Sequence, residues 1–362
     1  MNSFNASVSY VSNTSLIKYF VQKGVHSSKS LQSLSLKMQD EMASDSYFNF
    51  YRNAFRNDPL FGKIGGDDSG TYADIYADKV VGDALVAGTD NHLAYEAAVS
   101  MTMWMQIVHQ LETAVKQCGD TSSAMNAGLS VDAALAYYVG VSQTKGDTDG
   151  YLLYSFAQRT ANLFKTVEAV TGEARANVAA IALFKDLKAE AIKCDGGPDQ
   201  FKTLRLLAGS MMKNLNIPLV QAFYHQLQVG SQTDKASFYA ILYGLTTLPQ
   251  LATCRPKEYF YLSNEITENG LDVANVDKLM SELRKTYDCF GVSCADIHGD
   301  DEICQNFEQI SNTYAGFTPR DDVTVVSRIV DCVGHYNSRL QHTHIFPFPC
   351  LVCSYRQGYL EA

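Results

Sequence analysis

Apolar residues return at every third or fourth position through most of this chain, the period of helices that bury one face. Leu93, Ala97, Trp104, Val108, Leu111 and Val115 make the first long stripe, which predicts a helix over about 91–118. Asp90 or Asn91 is placed to cap its start, and Gly119 stands where a left-handed C′ glycine belongs. Shorter periodic runs predict helices over 131–139 and 151–167, and Ala174 to Ala191 predicts another, ending at the CDGGPD turn. A longer stripe follows through Leu204, Leu207, Met211, Leu215, Leu219, Phe223 and Leu227. Pro218 lies within it, removes a backbone donor and clashes with the preceding turn, which predicts a kink or break near Asn216. Residues 237–247, 257–264 and 272–287 are helical by the same criterion, the last capped by Asp272. No alternating strand pattern separates these runs, so the fold class expected is all-α, a multi-helix bundle.

The flanks read differently. Residues 1–60 are Ser-rich and weakly patterned, a peripheral N-terminal segment with two short helices at most. GKIGGDDSGT, from Gly62 to Thr71, is a loop by composition, and a helix is expected over about 72–85. From Asp288 the pattern breaks into the turn-rich CFGVSCADIHGDDEIC and ends in HIFPFPCLVCSY, extended by its prolines. The organisation expected is a segment 1–60, a helical domain 61–300 and a Cys/His-containing extension 301–362.

Composition narrows the function classes. A formal net charge of −10 disfavours nucleic acid and anionic membrane surfaces, which need clustered Lys and Arg. No apolar run approaches the roughly 20 residues that span a bilayer. The first twenty residues have neither a basic n-region nor an apolar h-region, so the protein is intracellular or the sequence lacks its leader. Asn5 and Asn13 are glycosylation sequons. Six of the nine cysteines follow residue 285, which suggests a Cys-rich, stapled C-terminal segment in an oxidising compartment; free buried thiols are the alternative.

Three groups of side chains have metal-ligand chemistry. His109 and Glu112 share a helix face, and Asp132 joins them if the next helix packs alongside; the alternative is a solvated face with Asp132 as a helix cap. Asp74 and Asp78 are four apart, with Tyr72 and Tyr76 on a neighbouring face, and such oxygens suit ferric iron; otherwise the acids favour a helix N-terminus. His335, His342, His344, Cys350 and Cys353 include one Cys-x-x-Cys but lack the second tight pair of a structural zinc site. No nucleophile elbow, P-loop, dinucleotide fingerprint or HExxH occurs, and no catalytic role is expected.

Taken in order, TYADIYADKVV, HQLETAVKQC, VDAALAYYVGV, GYLLYSFAQR, NLFKT, NIPLVQAFYHQL, LPQLATC and YDCFGVSCADIHG give the chain from about Gly65 to Gly299 a family likeness. It resembles the low-iron-inducible periplasmic protein family of green algae, diatoms and other marine algae. The resemblance implies a secreted helical protein, its leader missing from this sequence, that binds iron in iron assimilation without catalytic turnover. Asp78, His109, Glu112 and Asp132 are then the candidate ligands for ferric iron, and Cys289 and Cys294 are disulfide-bonded. The chain departs from the pattern in its acids: the stretch before Cys118 keeps only Glu112, and Ala133 stands where an acid often follows Asp132. Also absent is the usual cysteine after the Leu-Leu-Tyr helix. A cell-surface structural or interaction protein, with the fold kept and the metal site lost, is the alternative, with cell-surface proteins as partners.

Overall fold

The computed structural model describes Asp45, Tyr51, Glu96, residues 98–140, 143–230, 234–267 and 273–299, and Cys304. All of these lie in one unit of the chain, Met1–Gly316. Among the described residues the structure is helical, with one isolated antiparallel bridge, Val167 to Ala174, and no strand. A π-helical stretch, Ala98–Met103, leads into α1, Trp104–Cys118. Then come α2 (Ala127–Val139), α3 (Leu153–Phe164), α4 (Arg175–Ala191) and α5 (Pro198–Gly230). The second half holds α6 (Asp234–Thr247), α7 (Leu251–Cys254), α8 (Pro256–Thr267) and α9 (Val273–Arg284). Two short helices close it, α10 (Tyr287–Phe290) and α11 (Cys294–His298). The all-α bundle expected from the periodicity is what the chain forms.

Helix α5 is the axis. It packs against α1, α3, α4, α6, α9 and α11, while α1 pairs with α2, and α2 with α4. Most of its expected stripe is buried, and so are Val220, Ala222 and Tyr224 on its other sides. A helix buried nearly all round is what a central position demands. Of the kink or break expected near Asn216, a break is absent: α5 is continuous through Pro218. Proline in a helix interior costs about 3 kcal/mol. Burying Leu215, Leu219 and Val220 around it returns about 1.5–3 kcal/mol each, so packing outweighs the local penalty. The flanking amides are also tied outward: Asn214 Nδ2 donates to the Ala176 carbonyl, and Asn216 Nδ2 to Gln250 and to the Phe290 carbonyl.

Other boundaries shift for identifiable reasons. Gly119 ends α1 where a terminating glycine is expected, but in a right-handed conformation (φ −85°). Its glycine character serves close approach instead: a Cβ there would stand 2.9 Å from the Phe201 ring of α5. Two residues of the expected peripheral segment reach the core. Tyr51 is fully buried, donates to the Thr246 carbonyl at 2.5 Å and packs its ring against Trp104, while Asp45 meets α1. The helix expected over 72–85 and the extension after Cys304 lie outside the described residues.

Among the described residues three disulfides staple the bundle. Cys118 at the end of α1 joins Cys194 after α4, across 76 residues of chain. Cys254 joins Cys289, and Cys294 joins Cys304, so the expected stapling of the C-terminal region is present. Cys289 and Cys294 are both oxidised, each to a different partner rather than to one another. No helix among the described residues is long and apolar enough to cross a membrane.

Candidate functional site

The residues nominated from the sequence end up in different surroundings. Asp78, with Asp74 and the two tyrosines beside it, lies outside the described residues, as does the C-terminal His/Cys set. His109 is half-buried on α1, and its Nδ1 lies 2.7 Å from Oδ2 of Asp45, a carboxylate only 2 % exposed. The other oxygen of Asp45 accepts from Lys116, two turns along the same helix. Glu112 sits between them in sequence, half-buried on α1. A buried carboxylate thus has one cation and one imidazole, which supplies the partners that burial of a charge requires.

Asp132 has different partners. Helix α2 begins at Ala127, so Asp132 is inside the helix and does not cap it. Its carboxylate is 54 % exposed and pairs at 2.6 Å with Lys188 of α4, which also donates to the Gly128 carbonyl. The pair is a clasp between neighbouring helices in water. His109 and Asp132 therefore each have a partner of their own. Among the described residues no group of three or more His, Cys, Asp or Glu side chains is placed to hold a metal ion.

Glu96, next to the π-helical turn, anchors a second buried cluster. Arg159 of α3 donates to it at 2.9 Å and the Tyr243 hydroxyl of α6 at 2.7 Å. Burial, and then the charge of Glu96, hold the Tyr243 phenol well above its ordinary pKa, so it stays a neutral donor. Arg159 also donates to the Thr148 carbonyl, linking this cluster to the loop between α2 and α3.

That loop borders an open cleft of about 560 Å³. Its course follows from the sequence. Gly140 ends α2 with φ +79°, a conformation that disfavours any Cβ, and Leu152 packs 2.8 Å from where one would be. Past the turn, Asp147 accepts from the Asp149 backbone N–H and the Thr144 hydroxyl, which hold its carboxyl below the usual range. Gln143 Nε2 donates to the carbonyls of Thr144 and Asp147, so the loop is bonded to itself. Val139, Val178, Ile181 and Ala182 give the cleft an apolar wall, and Lys185 and Asp186 are exposed at its border.

The buried carboxylate of this cleft is Glu173. Its Oε1 accepts from the Tyr154 hydroxyl at 2.6 Å and its Oε2 from Lys145 at 2.9 Å. Burial and the bond to Glu173 push the Tyr154 phenol up to about 12. Beneath, the buried Tyr138 donates to Asn177, whose amide donates to the Tyr154 carbonyl.

Asp45, Lys145 and Glu173 do not stand out in the sequence. Periodicity gives no signal for them, because Glu173 sits in a turn before α4 and Asp45 lies 64 residues from its partner. Comparison with protein-family models, with curated proteins and with solved structures found no match for this chain.

Proposed function

We propose that the protein works outside the cell as a non-catalytic binder of ferric iron, in the manner implied by its resemblance to the low-iron-inducible periplasmic proteins. Iron is cargo in this role, and the His109 side of α1 receives it. The observation that carries the proposal is the contact of His109 Nδ1 with the buried Asp45 carboxylate. Metal-ligating histidines commonly donate one ring nitrogen to a carboxylate, which fixes the ring and puts the ligating lone pair on the other nitrogen. Glu112, one turn along, adds a hard oxygen of the kind ferric iron prefers. Three disulfides in the bundle support an oxidising, extracellular location.

A second reading, a structural or interaction protein of the cell surface, is favoured by the pairing of Asp132 with Lys188 and of Asp45 with Lys116. Exposed Met125, Leu129 and Ile192 near the α2–α4 clasp suit a protein partner. Titration of the full chain with ferric citrate, read by calorimetry, separates the two. Saturable binding in the micromolar range or tighter supports iron binding. No heat of binding at micromolar iron removes it and leaves the interaction role.

A further inference from the structure

The cleft between α2, α4 and the 143–150 loop has a feature that iron binding does not use: its buried charge is covered by a removable one. Glu173 is 6 % exposed, while the Lys145 side chain that neutralises it is 67 % exposed and comes from the loop. The ammonium is therefore the solvent-facing half of the pair. We propose that Lys145 is a built-in competitor in a binding site for small primary ammonium compounds with an apolar chain. The ligand's ammonium replaces Lys145 on Oε2 of Glu173, and its chain lies along Val139, Val178 and Ile181.

The chemistry of the cleft selects this class. Glu173 is an acceptor, and the Tyr154 hydroxyl spends its proton on it, so the buried end calls for a donor. An anion would have to draw Lys145 away and leave Glu173 buried without its cation, which is costly. A metal ion finds a single buried carboxylate and a phenol whose proton burial retains, a poor donor set for it. An ammonium keeps the charge balance that Lys145 now provides. Lys185 and Asp186 at the border carry opposite charges and cancel in their effect on an approaching cation. The cleft volume falls in the roughly 300–1,000 Å³ range of small-molecule sites.

Because Lys145 lies on an exposed loop, it can be removed without touching the core. Hexylammonium, hexanol and hexanoate are titrated against the full chain and against Lys145→Ala, with calorimetry and the methyl resonances of Val178 and Ile181 as readouts. Loss of the competitor also leaves Glu173 without its cation, so Lys145→Ala is expected to bind hexylammonium about tenfold more tightly than wild type. Hexanol and hexanoate are expected to bind Lys145→Ala at least about tenfold more weakly than hexylammonium. Glu173→Gln in the Lys145→Ala background removes the preference for the cation. Equal affinity of wild type and Lys145→Ala, or hexanoate binding as well as hexylammonium, overturns the proposal. So does displacement of bound hexylammonium by stoichiometric ferric ion, which would make the cleft a metal site. The ferric titration of the intact protein stands apart from these results, since His109 and Asp45 are not among the cleft residues.

Discussion

His109 and Asp132 sit on helices that pack together, and each takes part in a carboxylate contact of nearly the same length, 2.7 Å and 2.6 Å. The resemblance drawn from the sequence assigns both to one ferric site. Their surroundings differ: the acid that holds His109 is 2 % exposed, and Asp132 itself is 54 % exposed. A water-exposed pair such as Asp132–Lys188 is worth about 0–1 kcal/mol. A buried carboxylate is committed to its partners, because leaving either side unsatisfied costs about 1–3 kcal/mol. Residue type and helical phase nominate ligands, but burial decides which of them the fold holds in a fixed geometry.

The two pairs share a frame, and breaking that frame has the largest expected effect. Cys118→Ser with Cys194→Ser opens a tie across 76 residues, and loop-closure entropy puts the loss near about 4.5 kcal/mol. Denaturant titration measures it, and a loss below about 1 kcal/mol would mean the tie does little to constrain the unfolded chain. Next comes an alkaline transition that neither ion pair explains. Tyr138, Tyr154, Tyr243 and Tyr287 all have pKa values raised by burial. An unfolded tyrosine ionises near about 10, so folding is favoured fully below that pH. Stability then falls as pH rises from about 10 through the Tyr154 value of about 12, since only the unfolded chain releases these protons freely. Unfolding midpoints flat across that range would contradict the burial of the phenols.

Smaller effects sharpen the comparison itself. Asp45→Ala removes the acceptor of both His109 and Lys116, and is expected to cost about 2 kcal/mol. Asp132→Ala is expected to cost less than about 1 kcal/mol, since Lys188 is half-exposed and returns to water. Equal costs in paired denaturant titrations would erase the distinction between the two sites.

What the sequence made legible follows from the range of each interaction. Helices announce themselves within a few residues, so the stripes of α1, α4 and α5 could be read directly, and the all-α class with them. The local cost of Pro218 is visible in the sequence, whereas the packing that keeps α5 continuous through it comes from neighbouring helices. Gly119 marks the end of α1 in the sequence, but the Phe201 ring it admits comes from another helix and leaves no local signal. Site residues fared worse for the same reason. Asp45 lies 64 residues from His109, Glu96 lies 147 from Tyr243, and nothing local marks either acid as buried. Glu173 and Lys145 meet through a loop whose course depends on Gly140.

Ferric binding measured side by side on wild type, His109→Ala and Asp132→Ala tests the central claim most directly. Loss of a ligand and its fixed orientation predicts at least about tenfold weaker binding for His109→Ala. Asp132→Ala is expected to bind as wild type does, because its carboxylate is spent on Lys188 in solvent. Unchanged binding in His109→Ala, with loss in Asp132→Ala, would contradict the assignment of iron to the His109–Asp45 side.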